Sequence, residues 1–317
     1  MDVFYGVNPA GVVELSVPTL SLVSSFTTSA FGALGAALAA PQSVWLVGLC
    51  ETCSLGSMIS NNAFQSAPNN TSENAVIIEL TNISPTISFT ASAATGTSPF
   101  AAGQLISIYG TQLGPSAGSG IQLGPGGAVT TSNGGTQVLF GGAAAPILYT
   151  GAGQVNAAIP CSLAGQTSTQ MVVEYLGAQS APVTLSLGPA APGIFTADGS
   201  GQGQAAALNQ DNSFNGPSNP APPGSIVTFY ATGVGPTSPC MDGQVYQSNF
   251  PVLMLPVIVG VGKSGAQVLY SGQAPDLVSG VAQFNIVIPS DAPSGVVPLT
   301  LVVGGIFSTP GVTIDVK

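Results

Sequence analysis

The sequence predicts an all-β chain whose larger part is two tandem antiparallel β-sandwiches, and three observations lead there. Glycine and proline are dense, 42 and 26 in 317 residues. They are the poorest helix formers and the commonest turn residues. Between the turn clusters lie short β-branched or aromatic runs of strand length. Those runs recur in matched blocks, in the same order, in two halves of the chain.

The repeat sets the organisation. GQLISIYGTQLGPS from Gly103 aligns with GSIVTFYATGVGPTS from Gly224, which places Tyr109 against Tyr230 and Gly114-Pro115 against Gly235-Pro236 at an offset of 121 residues. Ile147-Leu148-Tyr149 meets Val268-Leu269-Tyr270 at the same offset. After an insertion in the second copy, QVNAAIP from Gln154 meets QFNIVIP from Gln283, and Gly177, Ser180 and Pro182 meet Gly305, Ser308 and Pro310. A tandem duplication explains this order.

Each copy has about the length of one sandwich. In the first, strands are expected at Leu105–Tyr109, Gln137–Phe140, Val155–Ile159, Met171–Tyr175 and Val183–Leu187. In the second they are expected at Val227–Tyr230, Val257–Val261, Val281–Ile288, Leu299–Val303 and Val312–Val316. The division predicted is 1–84, 85–189 for the first sandwich and 190–317 for the second. The stretch from Ala190 to Pro223 has linker composition, but Ala205-Ala206-Ala207-Leu208 and Phe214 within it argue for a hairpin docked on the second sandwich.

Charge excludes several functions. Lys263 and Lys317 are the only cations, against twelve Asp and Glu, for a net charge of −10. Nucleic-acid binding needs several phosphates neutralised by Lys or Arg, and attraction to an anionic membrane needs a basic patch. Neither is present. The uncharged run from Leu15 to Cys50 is long enough to span a bilayer, but Pro18 and Pro41 break it and Ser and Thr dot it, so buried strands are expected and no transmembrane segment. Met1–Pro18 holds Asp2 and Glu14 and no basic residue, which does not fit a secretory signal.

Four cysteines occur. Cys50 and Cys53 form a CxxC, the spacing of a redox pair or of half a zinc site, but a turn-like Ser54-Leu55-Gly56-Ser57 follows and the chain has no His. Local thiols or a local disulfide fit better there. Cys161, after the strand-ending Pro160, and Cys240, after a Gly-Pro turn, both fall at sandwich ends and are expected to form a disulfide tying the copies together.

Three motifs resemble chemistry they do not support. Gly114-Pro115-Ser116-Ala117-Gly118 satisfies the GxSxG nucleophile pattern, yet a Ser nucleophile needs a base and there is no His. Asp211-x-Ser213-x-Asn215-Gly216 mimics half a calcium loop, with Pro222 where the bidentate acid belongs, so a hairpin turn is expected. Gly199-x-Gly201-x-Gly203 lacks the strand and helix that turn a glycine-rich loop into a phosphate cradle. No catalytic, cofactor or metal site is expected.

Gln154 with Asn156, and Gln283 with Asn285, are amides two apart and therefore share one face of a strand. Their recurrence in both copies suggests a shared task. The reading favoured is a structural latch in which the amides grip backbone groups of a neighbouring loop. Sugar binding also uses amides, but needs flanking exposed aromatics, and the one Trp, Trp45, lies far away.

These blocks carry a resemblance. Gln112-Leu113-Gly114-Pro115, QVNAAIP, Ala191-Pro192-Gly193-Ile194-Phe195 and Ala206-Ala207-Leu208-Asn209-Gln210-Asp211 resemble the uncharacterised C-terminal domain family described from Solibacter and other acidobacteria, over about Thr86 to Lys317. Cys161 and Cys240 depart from its pattern. The resemblance implies immunoglobulin-like sandwiches of the transcription-factor type at the C-terminus of a large secreted or surface protein, and no assigned activity. Asp2-Val3-Phe4, Ser43-Val44-Trp45-Leu46-Val47-Gly48, Asn62-Ala63-Phe64-Gln65 and Ala75-Val76-Ile77-Ile78-Glu79-Leu80 more weakly resemble a bacterial β-propeller repeat, which implies a partial blade over residues 1–84.

The function expected is a non-catalytic secreted or cell-surface structural or adhesive module with an unknown protein or polysaccharide partner; the alternative is a carbohydrate-binding accessory of an extracellular enzyme. A lone blade lacks the neighbours that bury its faces. A chain beginning at Ile83 is therefore expected to keep the main melting transition and to self-associate less, as calorimetry and size-exclusion chromatography would show.

Overall fold

The computed structural model describes residues 84–317 in full, and of the first 83 only the backbone of β1 (Phe4–Val7), β2 (Val13–Ser16), β3 (Phe31–Ala40), β4 (Ser43–Cys50) and β5 (Asn74–Thr81). The fold is all-β. The chain divides into two compact units, Met1–Ser84 with Leu176–Ala178, and Pro85–Tyr175 with Gln179–Lys317. In the first, β1 and β2 pair antiparallel, and β3, β4 and β5 form an antiparallel sheet in that order. The side chain of Trp45, the thiols of Cys50 and Cys53, and the rest of the expected blade lie outside the described residues.

The second unit holds both repeats apart from Leu176–Ala178. The first copy runs through β6 (Thr86–Ser92), β7 (Phe100–Ala101), β8 (Leu105–Thr111), β9 (Thr136–Phe140), β10 (Ala143–Ala144), β11 (Ile147–Thr150), β12 (Gln154–Ala158), β13 (Ser168–Tyr175), β14 (Ala178–Gln179) and β15 (Val183–Gly188). Its strands lie in two layers, β11-β12-β8-β6 and β10-β9-β13-β15-β7. Alternation decides what lies between them. Ile106 and Ile108 of β8, Val155 and Ala157 of β12, Val138 and Phe140 of β9, and Met171 and Val173 of β13 are all buried in one cluster. Period-two patterning thus leaves Ser107, Tyr109, Gln154 and Asn156 on the outer face of the β8 layer.

The second copy runs through β16 (Gly193–Ile194), β17 (Gly203–Gln204), β18 (Ala207–Asn209), β19 (Ile226–Thr232), β20 (Thr237–Ser238), β21 (Val252–Leu253), β22 (Val257–Val261), β23 (Ser264–Gln273), β24 (Ala282–Val287), β25 (Gly295–Val303), β26 (Ile306–Phe307) and β27 (Val312–Val316). Here the ladder is continuous, β16-β19-β24-β23-β22-β25-β27-β17. The ten-residue β23 makes it so. Its first residues pair with β22 and its last with β24, which carries the sheet from one layer to the other around the second core. In the first copy Pro146 stands where β23 has Gln267, and the equivalent run is split into β10 and β11. A proline has no N–H to give to a ladder, so the sheet opens there.

Ala190–Pro223, expected as a hairpin docked on the second sandwich, is joined to that sandwich by strand pairing. It builds the sandwich's edges: β16 and β18 pair with β19, and β17 pairs parallel with β27. Ala205 and Ala207 enter the core.

The copies meet at a third apolar cluster, formed by Leu105, Val129 and Ala158 of the first with Val278 of the second, and edged by Ala93, Leu148, Phe195, Val245 and Val281. Backbone groups bind across it. Leu105 N–H donates to Thr232 Oγ1 at 2.9 Å and Val129 N–H to the Gly243 carbonyl at 2.8 Å. Gly280 is required there, since its φ is +102° and a Cβ would fall 2.4 Å from the Gly103 carbonyl oxygen. Cys161 and Cys240 are joined in a disulfide, with Cα atoms 6.3 Å apart.

Candidate functional site

The amide pairs mark the place. Gln154 lies opposite Tyr109, and Tyr109 opposite Phe89, across three adjacent strands. One step along, Ser107 lies opposite Asn156, and Asn156 opposite Tyr149. A bulge between Ile147 and Tyr149 leaves Leu148 over toward the junction and lets the Tyr149 ring share the outer face with the amides. The result is one outward surface bearing three aromatic rings and two amides.

Its aromatic part is exposed. Phe89, on the edge strand β6, is 56% exposed, and its ring stacks on Tyr109 with centroids 4.5 Å apart and planes 19° from parallel. Tyr149 is 38% exposed and rests on glycines; a Cβ at Gly118 or at Gly151 would come 2.8 Å from its hydroxyl. An aromatic pair held by its neighbours costs little entropy to order when a ligand stacks on it.

The polar part is half used. Gln154 Nε2 donates to Asn156 Oδ1 at 2.8 Å. In the second copy Gln283 Nε2 donates to Asn285 Oδ1 at 3.0 Å, and Thr228 Oγ1 donates to the same oxygen at 3.0 Å. The latch expectation is corrected accordingly. Among the described residues the amides bond to each other and to Thr228 and to no loop backbone, because residues two apart on one strand face are close enough for the longer Gln side chain to reach the Asn. Among the described residues, Asn156 Nδ2, Gln154 Oε1 and the Tyr109 hydroxyl, all on partly exposed side chains, have no protein partner, while Ser107 is buried. The Asn156, Gln154 and Tyr109 groups keep unused hydrogen-bonding capacity.

The other sequence motifs have packing explanations. In the GxSxG run, Gly114 is needed because a Cβ would lie 2.1 Å from Thr150 Oγ1, and Gly118 because of Tyr149. Ser116 between them is exposed, and Gly118 N–H closes a turn on the Pro115 carbonyl at 3.1 Å. Asp211 is engaged by Ser213, whose hydroxyl and backbone N–H both donate to Oδ1 and hold the carboxyl below its ordinary range. Asn215 ties that hairpin down, donating to Asn209 Oδ1 and to the Asp315 carbonyl.

Between the repeats lies a cleft of about 30 Å³, lined among others by Gly103, Ala158, Gly235, Cys240, Asp242 and Gly280. That is room for one or two waters and for no sugar ring. Cys161, Cys240 and Asp242 bring three metal-ligand atoms within 4.8 Å of one another, but both sulfurs are spent in the disulfide. Asp242 instead accepts the Cys161 N–H at 2.9 Å. Tyr246, buried beside it, has a hydroxyl with no partner among the described residues, and its pKa is raised by burial and then by the charge of Asp242.

Asp242 gives a pH prediction. Its side chain is exposed at the surface, yet desolvation of the carboxylate by its neighbours raises its pKa, and the Cys161 N–H only partly opposes this. The folded chain therefore holds this proton to a higher pH than the unfolded chain. The contribution to stability is present in full below the unfolded value of 3.8 and is lost as pH rises through the folded value. Asp242→Asn keeps the acceptor oxygen and removes the charge, so it should melt slightly higher than the parent at pH 7, with the gap closing as the pH approaches 4. Calorimetric scans of both proteins at the two pH values test this; a lower melting temperature for the Asn variant at pH 7 contradicts it.

No protein-family model matches the chain, and neither does any curated protein. Among solved structures, it is similar to an SGBP-B from a complex xyloglucan utilization locus in Bacteroides uniformis, at 16% identity over 72% of this chain and 49% of that one, with a TM-score of 0.23. It is also similar to the Bacteroides ovatus mixed-linkage glucan utilization locus SGBP-B in complex with a mixed-linkage heptasaccharide, at 10% identity over 87% of this chain and 53% of that one, with a TM-score of 0.33. A third is the plexin A4 extracellular region, at 11% identity over 74% of this chain and 15% of that one, with a TM-score of 0.26. The chain spans about half the length of the two SGBP-B structures.

Proposed function

We propose that the chain is a non-catalytic, extracellular polysaccharide-binding module, and that its ligand is a neutral glycan lying on the outer face of β6, β8, β12 and β11. The observation that supports this is the exposed Phe89–Tyr109 stack beside unpartnered amide and phenol groups. Sugar rings offer apolar C–H faces to aromatic rings and hydroxyls to amides, so such a surface matches both sides of a pyranose. A neutral glycan is favoured over a uronate polymer because the face carries no cation and the chain's net charge is −10.

The structural or spacer reading draws on the junction, where a disulfide and backbone hydrogen bonds hold the copies together. It requires no ligand on the outer face. Affinity gel electrophoresis against hydroxyethyl cellulose, xyloglucan, soluble starch and polygalacturonate separates the two. Retardation by at least one neutral polymer, not by polygalacturonate, and weakened about tenfold by Phe89→Ala, an affinity loss of ~1.4 kcal/mol, is expected. Unretarded migration in every neutral gel leaves the spacer reading standing alone.

A further inference from the structure

We infer that the second copy carries a second glycan-binding array, and that the two arrays hold one polysaccharide chain across the junction; this rests on the reading of the first array given above. Duplication explains why both copies keep a core. It does not explain why they keep the same outward residues, since solvent-facing positions are not constrained by core packing.

The correspondence is close. Tyr230 lies opposite Gln283, as Tyr109 lies opposite Gln154, and Thr228 opposite Asn285, as Ser107 lies opposite Asn156. Tyr270 faces Asn285 after a bulge between Val268 and Tyr270, as Tyr149 faces Asn156 after its own. Each of these tyrosines leans on a glycine; a Cβ at Gly272 would lie 2.9 Å from the Tyr270 hydroxyl. Tyr230, Tyr270, Gln283 and Asn285 are all partly exposed. Among the described residues, the Tyr230 hydroxyl, Gln283 Oε1 and Asn285 Nδ2 have no protein partner.

The differences say which array is weaker. Phe195 stands beside Tyr230 where the first copy has Phe89, and its N–H donates to the Tyr230 carbonyl at 2.9 Å, but its side chain packs into the junction cluster instead of standing in solvent. The Tyr270 hydroxyl donates to the Gln273 carbonyl at 2.6 Å. With no exposed aromatic pair and with one phenol engaged, the second array has less to offer a lone sugar ring. It gains from being near the first.

The path between them is short and fixed. On β8 the junction residue Leu105 is two positions from Ser107, and on β19 the junction residue Thr232 is two positions from Tyr230. Leu105 N–H and Thr232 Oγ1 are hydrogen-bonded to each other. At strand rise this separates the arrays by on the order of 20 Å at most. The Cys161–Cys240 disulfide and the Val129–Gly243 bond hold that spacing. A glycan long enough to reach both arrays meets the second at high effective concentration.

Titration calorimetry tests this with the same neutral polymers and with cello- and malto-oligosaccharides of two to six units. The variants are Asn156→Ala in the first array and, separately, Asn285→Ala and Tyr230→Ala in the second, each checked by melting for an intact fold. The expected result is that both second-array variants lower affinity for the polymer about tenfold or more and leave affinity for the shortest bound oligosaccharide unchanged, while Asn156→Ala weakens both. Polymer affinity untouched by both second-array variants, with Asn156→Ala still damaging, overturns the second site and leaves the proposed function standing. Binding of none of the sugars by the parent chain overturns both.

Discussion

Phe229→Ala should be among the most damaging single substitutions, costing about 3–5 kcal/mol, the range for truncating a fully buried aromatic. Phe229 and Phe284 are paired across β19 and β24, both fully buried, with ring centroids 5.1 Å apart and planes 16° from parallel. Removing one ring empties the middle of the second core and strips the other ring of its stacking partner. The flanking strands are hydrogen-bonded on both sides and cannot close the gap by shifting. The same positions in the first copy are Ile108 and Val155, which fill that core with less volume per residue and no ring pair. Val155→Ala should therefore cost about 1–2 kcal/mol, little more than its lost methyls. Chemical denaturation of both variants measures the contrast. A loss below about 1 kcal/mol for Phe229→Ala would mean that this core repacks far more freely than its continuous sheet suggests.

That contrast was legible in the sequence only as a repeat. Strands β22 and β27 coincide with the runs expected at Val257–Val261 and Val312–Val316, and β8, β9, β12, β13, β15, β19, β24 and β25 match theirs within a few residues. Alternation of buried and exposed side chains is strong in these strands because each faces a core on one side only. The long β23 was not legible. Ser264, Gly265, Ser271 and Gly272 have turn composition, and only its pairing with both β22 and β24 makes it a strand. The short β16, β17 and β18 were hidden by the same glycine- and asparagine-rich composition.

The candidate site shows the same boundary. Gln154, Asn156, Gln283 and Asn285 were legible because a spacing of two, repeated in both copies, survives in a linear text. Their aromatic neighbours were not. Phe89 comes within reach of Gln154 only through Tyr109 on the strand between them, and no local pattern fixes that register across 65 residues. Looking for a flanking aromatic along the chain led to Trp45; looking across the sheet leads to Phe89, Tyr109 and Tyr149. The signal that was present, the alignment of Tyr109 with Tyr230 and of Tyr149 with Tyr270, marked the right residues as repeat positions without showing that they face outward.

Replacing Cys161 and Cys240 together by Ser should cost about 4.5 kcal/mol, the largest change expected from a substitution away from the cores. The two residues are 79 apart in sequence, and closing a loop of that length removes about that much free energy from the unfolded chain in the chain-entropy model. Little is expected to be lost in the folded state. Leu105 still reaches Thr232, Val129 still reaches Gly243, and the apolar junction cluster contains neither cysteine. Because the effect lies in the unfolded ensemble, the denaturant m-value should rise as the freed chain exposes more surface, while the melting temperature falls by on the order of 10–15 °C. The same logic separates the variant from a binding defect, since an intact junction keeps both arrays in place and polysaccharide affinity at 25 °C should be unchanged. Calorimetry and urea titration of the double Ser variant, beside the parent with and without dithiothreitol, supply the test. A loss of less than about 1 kcal/mol in both the variant and the reduced parent would mean that the unfolded chain is already held compact around this loop, and that the disulfide does not set the stability of the joined repeats.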